Sequence, residues 1–215
     1  MKVVFWDWNG TLVNDAAVLC DVFNALIEAR GYAPISMDRY REIYRHPVQG
    51  MYEDAGVDLS KHDFAEIAHS WHEEYTARVG TISLHHDALT ALNALKTRGS
   101  RQMVLSALPQ SILVESVKQH GVGHFFEHVR GLAHLRGDSK VAEAVNLVGS
   151  LGIAGSEITI IGDSSHDAEV ARELSAQCFL VARGAESRAK LALHGFPVVD
   201  SFHTIIGNVL ESAQS

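Results

Sequence analysis

The distribution of apolar and polar positions divides the chain into an opening strand, a purely helical stretch and a long alternating remainder. Val3-Val4-Phe5-Trp6 is an unbroken apolar run that stops at Asp7. A run without alternation predicts a strand buried on both faces of a parallel sheet. No strand pattern interrupts residues 14 to 80. A helix is expected over 15–30, with Val18, Leu19, Val22, Phe23, Leu26 and Ile27 on one face and Gly31 ending it. A second should run from Ser36 to Arg45 before Pro47, and a third from Val48 to Ala55 before Gly56. A fourth should start at a capping-box-like Ser60 and Asp63 and carry Phe64, Ile67, Ala68, Trp71 and Tyr75.

From His85 onward strand and helix patterns alternate. A helix is predicted over 86–98, a strand over 102–105 stopping at Ser106, and a helix over 109–120 with Pro109 in its first turn. A short strand near Val129 leads to a helix opening at Ser139, with Val141, Ala144, Val145 and Val148 inward. Strands follow at 158–161, ending at Gly162-Asp163, at 178–181 and at an edge position over 196–199, before a final helix from Ser201. This rhythm predicts an α/β parallel sheet with helices on both faces, interrupted after its first strand by a small helical bundle. The expected organisation is a core of 1–13 and 85–215 with an insertion of 14–84.

Composition changes this picture little. At 215 residues, the chain has room for one core and an insertion, and 47% apolar with 20% charged residues describes an ordinary globular protein that buries a sizeable core. A net charge of -8 argues against a general nucleic-acid binder or an anionic-membrane binder. Cys20 and Cys178 lie far apart without metal-type spacing, and Met1 leads straight into a strand, so the reducing cytoplasm is the expected compartment. Of the 13 histidines, His69 and His72 stand at helical i, i+3 spacing beside Glu66 and Glu73. They lack a third ligand at a recognised spacing and read as a polar face. His85-His86 reads as hinge surface where the chain returns from the insertion.

Candidate chemistry collects at the ends of strands. Asp7 follows the first, Ser106 a later one, and the turn Gly162-Asp163-Ser164-Ser165-His166-Asp167 another. In open α/β sheets the ligand crevice lies at the carboxyl ends of the strands. Taken singly, each residue has a plain structural reading, as a turn, a helix cap or a solvated side chain. Together, a carboxylate facing two others needs a cation to join them, and hard oxygen ligands suit Mg²⁺. Gly10 permits a sharp turn after Asp7, Thr11 adds a hydroxyl, and Lys140 could add positive charge opposite the cluster.

These residues in this order resemble the four motifs of the haloacid dehalogenase superfamily of hydrolases: Asp7-Trp8-Asn9-Gly10-Thr11-Leu12, Ser106, Lys140 and Gly162 through Asp167. The resemblance spans residues 3 to 167, and the helical insertion is similar to the cap of the phosphoglycolate-phosphatase-like branch. It implies a Rossmann-like core with a mobile lid and a Mg²⁺-dependent phosphatase acting on a small phosphorylated metabolite. By the same resemblance Asp7 is the nucleophile that forms an aspartyl-phosphate, and Asp7, the Asn9 carbonyl, Asp163 and Asp167 form the metal site. Ser106 with Ala107, Gly10 and Thr11 would contact the phosphate or substrate, and Lys140 would be the charge partner. A monomer or homodimer is expected.

The chain departs from the family pattern in two places. The family's phosphatases usually carry Asp where this chain has Asn9; that Asp protonates the departing alcohol and then activates water, and an amide can do neither. Turnover is therefore expected to be slowed, Asn9→Asp is expected to restore it, and His166 is a candidate stand-in base. The second departure is Val141-Ala142 after Lys140, where many relatives place Pro. Two further readings follow. Trp8 also occurs in phosphonoacetaldehyde hydrolases, which cleave a C–P bond through a Schiff-base lysine, for which the insertion offers only Lys61. The loss of the acid also allows a regulatory protein that binds phosphate and metal without turnover. Substrate choice should lie in the insertion around Tyr44, Arg45, His46 and Gln49, with Arg45 the candidate grip on a second anionic group.

Overall fold

The computed structural model describes residues 2–132 and 140–211, with side chains through 207. Its centre is a six-stranded parallel sheet in the order β3-β2-β1-β4-β5-β6. The strands are β1 (Val3–Trp6), β2 (Arg101–Pro109), β3 (His128–Leu132), β4 (Ile158–Gly162), β5 (Gln177–Val181) and β6 (Val198–Val199). The class is the expected one, α/β and Rossmann-like. Alternation along β1 explains its continuous apolar run. Val4 and Trp6 enter one core with Val104, Ile161 and Val181, while Val3 and Phe5 enter a second with Met103, Leu105, Ile160 and Leu180. Each strand residue thus meets a helix layer on its own side, and no position needs to be polar.

Between β1 and β2 the described chain is helical, as expected: α1 (Ala16–Glu28), α2 (Met37–Ile43), α3 (Gln49–Asp54), α4 (Phe64–Arg78) and α5 (Ala88–Thr97). After β2 come α6 (Gln110–Gln119), α7 (Lys140–Leu151), α8 (Ser165–Glu173), α9 (Arg188–Ala192) and α10 (Phe202–Glu211). The apolar face of α1 is the expected one, with Leu19, Val22, Phe23, Leu26 and Ile27 buried. Asp63 alone caps α4, accepting from Ala65 N at 2.8 Å, because Ser60 Oγ is turned to Asp58 at 2.6 Å.

Three expectations are corrected. The strand at β2 does not stop at Ser106 but runs to Pro109, with a shift in pairing against β3 between Leu105 and Pro109. Ser106 Oγ accepts from Leu108 N at 3.1 Å, a local bond that serves the backbone where the ladder slips. Pro109 is then the residue before α6 and not its first turn. Val145 is 42% exposed, and Leu147 is buried in the inward face of α7 with Lys140, Ala144 and Val148, which is the i, i+4, i+7, i+8 stripe that includes the lysine. Helix α9 has no counterpart in the sequence reading. The expected helix start at Ser139 lies outside the described residues.

β1 lies between β2 and β4, so the chain order reverses across it. Such a reversal opens a crevice at the carboxyl ends of the strands. Asp7 extends the β1–β4 ladder by one bond, its N–H donating to Ile161 O at 2.8 Å, and so stands at that edge.

Candidate active site

Three segments bring carboxylates to this edge. Asp7 follows β1, Asp163 follows β4, and Asp167 lies in the first turn of α8. One oxygen from each lies within 4.8 Å of the others. Lys140, the first residue of α7 and 3% exposed, reaches into the cluster from the other side. Its Nζ donates to Asp7 Oδ1 and, at 2.5 Å, to Asp167 Oδ1. Asp167 splits its oxygens: Oδ2 accepts from Ser164 Oγ at 2.7 Å, Ser164 N at 3.1 Å and Asp163 N at 3.2 Å. The capping role that Asp167 could have had alone is thus combined with the ion pair.

Glycines shape the space around Asp163. Gly10, at φ +69°, turns the chain in a conformation that L side chains rarely adopt, and a Cβ there would strike the Asp163 carboxylate. A Cβ at Gly184 would strike the same carboxylate. With that room, Asp163 Oδ1 accepts from Thr11 Oγ1 at 3.2 Å and Oδ2 from Ala185 N at 2.5 Å.

Burial and charge set the protonation of the cluster. Burial raises Asp7 to about 6 even with the Lys140 charge opposing it. Asp163 is raised further by burial and by the nearby Asp7 and Asp167. Burial would also raise Asp167, but the charge of Lys140 and the bonds from Lys140 and Ser164 outweigh it and hold this carboxyl below its ordinary value. Lys140 is driven up by the two carboxylates despite its burial. One cation against three carboxylates leaves the group short of positive charge, and the two ion pairs of Lys140 go to Asp7 and Asp167 while Asp163 is held by Thr11 and Ala185. That donor set of hard oxygens fits a divalent metal ion.

The other expected residues fall into two groups. Thr11 and Gly10 lie against Asp163, and Ser106 is buried at the same sheet edge, beside Ala107. His166 is buried on α8 with Nδ1 unpartnered, and its ring lies 4.5 Å from that of His46 in the helical segment. Burial and the Lys140 charge lower His166 to about 4, which keeps it neutral near pH 7. Arg45 is not brought to the cluster. Its guanidinium turns to Gly50 O at 2.9 Å and Asp54 at 3.1 Å, on α3. Lys61 is likewise apart, exposed and paired with Asp58 at 2.9 Å. Trp8 is fully buried; Nε1 donates to Ser116 Oγ at 3.1 Å, and the ring meets His120 edge-on.

The most conspicuous residue missed by the sequence reading is Asp15. It stands just before α1, fully buried, yet makes no cap bond to that helix. Its Oδ1 accepts from Gly10 N at 2.7 Å, and its Oδ2 accepts from Tyr75 OH at 3.1 Å and from Asn9 Nδ2. Burial raises Asp15 to about 6 against those three bonds. Its only sequence signal was an Asp at a helix start, which ordinarily means a cap.

The order of these elements and residues matches known proteins. The sequence profile described as haloacid dehalogenase-like hydrolase matches residues 4–181. The chain belongs to this family. Among curated relatives, a phosphoglycolate phosphatase of Rhodobacter capsulatus is 26% identical over 204 residues, which cover 93% of this chain and 91% of that one. Among solved structures, a haloacid dehalogenase-like hydrolase of Streptococcus pneumoniae superimposes with a TM-score of 0.85 at 18% identity, covering 97% of this chain and 98% of the other. A Haemophilus somnus protein described as a predicted phosphoglycolate phosphatase gives 0.80 at 19% identity, with 97% and 98% covered. The chain is thus a haloacid dehalogenase-like hydrolase, similar to members named phosphoglycolate phosphatase. Among its described residues no helix is long and apolar enough to cross a membrane.

Proposed function

We propose that this hydrolase is a Mg²⁺-dependent phosphatase that acts on a small phosphorylated metabolite through an aspartyl-phosphate on Asp7. The observation that carries the reading is Lys140 bound between Asp7 and Asp167 with Asp163 beside them. The names of the curated relatives make a small phosphorylated organic acid the first substrate to test. The helical segment 14–84 serves as a lid on the core of 1–13 and 85–215. Its contacts support this: Arg41 Nε donates to Gly184 O at 3.1 Å, Lys190 reaches Tyr44 O, and His46 covers His166.

In this reading an Asp7 oxygen attacks phosphorus as the bond from phosphorus to the leaving oxygen breaks, and water later releases the phosphate from Asp7. Lys140 favours the ionised form of Asp7 that attacks, against the effect of burial. Asp7, Asp163 and the Asn9 carbonyl would hold Mg²⁺, with Asp167 beside them. That ion would neutralise the cluster and polarise a phosphoryl oxygen. Ser106, Thr11 and the Gly10 turn line the edge where the phosphoryl group would sit, and neutral His166 is the candidate base for the water. Asn9 has no proton to give, and general acid–base help is worth about 10²–10⁴ in rate, so a slow enzyme is expected.

The C–P bond reading loses its support, because the one lysine of residues 14–84 is Lys61, which is exposed and paired with Asp58. Trp8 has a packing role that needs no special chemistry. The test is a screen of phosphorylated metabolites, phosphoglycolate included, with and without Mg²⁺. Phosphate release from at least one ester by the wild type, and none by Asp7→Asn, is the expected result. Equal release by both proteins would overturn the assignment.

A further inference from the structure

Asn9 is the one place where the nucleophile loop lacks the expected acid, and its side chain makes a directional set of bonds. Nδ2 donates to Asp15 Oδ2 and, at 2.6 Å, to Tyr75 OH. Tyr75 OH spends its single hydrogen on Asp15 Oδ2 at 3.1 Å, so toward Asn9 it can only accept. An ionised carboxylate is an acceptor only. Two acceptors therefore face Asn9, and the NH₂ end of the amide must point at them. The carbonyl end, Oδ1, is left as the atom this side chain can offer to a ligand.

We propose that Asp15 is a positioning residue of this site. With Tyr75 it fixes the Asn9 amide in one orientation, and through Gly10 N–H it holds the turn that carries Asn9. The three residues come from different parts of the chain: Asn9 from the loop after β1, Asp15 from the entry to α1, and Tyr75 from α4. The clamp thus ties the helical segment to the loop beside the nucleophile. Asp15 and Tyr75 are buried, with relative exposures of 0%, so no solvent stands in for a lost partner.

One consequence corrects the sequence expectation for Asn9→Asp. That substitution replaces the donor with an oxygen facing Asp15 Oδ2 and the lone pairs of Tyr75 OH, so it breaks the clamp as it supplies the acid. Asp15→Asn errs in the other direction, since it can set one amide NH₂ against another. The double variant restores complementarity with the polarity reversed, because an amide at 15 can donate to a carboxylate at 9.

The proposal rests on the phosphatase reading for its catalytic part, so the test has two readouts. Thermal midpoints of wild type, Asn9→Asp, Asp15→Asn and the double variant are measured in EDTA, where activity plays no part. Each single variant should melt about 5 °C or more below wild type, and the double should recover most of that loss. Then kcat and KM are measured on p-nitrophenyl phosphate with Mg²⁺ at 25 °C, on those proteins whose melting curves show them folded at that temperature. Asp15→Asn should lower kcat about tenfold with KM nearly unchanged, and the double should regain it. Tyr75→Phe removes one hydroxyl from the same clamp with little change of shape, and should lower kcat by a smaller factor. Additive thermal losses, or a wild-type kcat in Asp15→Asn, would overturn the proposal. If the wild type hydrolyses neither this ester nor any of the metabolite panel, the phosphatase reading fails, while a non-additive thermal cycle still supports the clamp.

Discussion

Replacing Lys140 by Met removes the charge at the centre of the carboxylate cluster while keeping most of the volume of the buried side chain. Lys140 bridges the Asp7 and Asp167 carboxylates, and one oxygen of Asp163 lies within 4.8 Å of an oxygen of each of them. Removing one member of a buried ion pair costs about 3–5 kcal/mol, because the remaining charge stays desolvated and unpaired. Proton uptake limits the loss. Asp7 is already raised to about 6 with the lysine in place, and without it the carboxyl is raised further. Each additional unit is worth about 1.4 kcal/mol. A net loss of about 3 kcal/mol near pH 7.5 corresponds to a fall in Tm of roughly 10 °C for a chain of this size. A group whose pKa is raised on folding stabilises the folded state below that pKa and loses its contribution as the pH rises through it. The deficit should therefore shrink between pH 7.5 and 5.5. Scanning calorimetry of both proteins in EDTA measures the loss. A second scan with millimolar MgCl₂ should raise the Tm of the variant more than that of wild type, since the ion would neutralise the same carboxylates. A Lys140→Met protein that melts within about 2 °C of wild type in EDTA at pH 7.5 would refute the view that Lys140 neutralises this cluster.

Gly184→Ala should push the Asp163 carboxylate out of position, since the added Cβ overlaps it. The expected result is an apparent Mg²⁺ affinity about tenfold weaker in a thermal-shift titration, and an unchanged titration would count against Asp163 as a ligand. His85, expected from the sequence at the surface of the hinge, is instead buried, and burial and then Arg183 lower it from 6.5 to about 4, so between these values the unfolded chain takes up a proton that the folded one refuses. Its stabilising effect is complete above pH 6.5 and falls by about 3 kcal/mol as the pH drops toward 4. His85→Asn should flatten urea-measured stability over that window by a similar amount, and an unaltered slope would refute the assignment.

The part of the site that was legible in the sequence is the part set by local pattern. Asp7 is readable because four apolar residues stop at it, and Asp163 and Asp167 because a strand ends in a glycine followed by a helix start. Lys140 could be placed near a helix start, but its burial between carboxylates follows from the inward face of α7, which the sequence reading had turned toward Val145. Arg45 illustrates the converse. A cation beside the helix break at Pro47 suggests an anion grip, whereas its partner Asp54 is nine positions further along, and only the packing of α3 makes that pair. The role of Gly184 depends on Asp163, 21 positions earlier, and in sequence it is one more loop glycine.

Asp15 is the case in which local rules pointed the wrong way for a physical reason. An Asp at a helix start is ordinarily a cap, yet this carboxylate caps nothing in α1 and instead serves a loop six residues back and a tyrosine sixty residues ahead. The absence of an acid at position 9 is therefore not a simple deletion of charge. An acceptor at 9 would require a donor at 15, and the amide at 9 requires an acceptor there. Asn9 and Asp15 together keep one carboxylate at this corner of the crevice, moved from the loop after β1 to the entrance of α1, where Tyr75 covers it. Because Asp7 and Asn9 share that loop, with Gly10 bonded to Asp15 directly after them, any displacement of α1 or α4 acts on the nucleophile loop through the Asp15 carboxylate. Residues 9 and 15 therefore have to be substituted as a pair if the chemistry of one is to be read without disturbing the other.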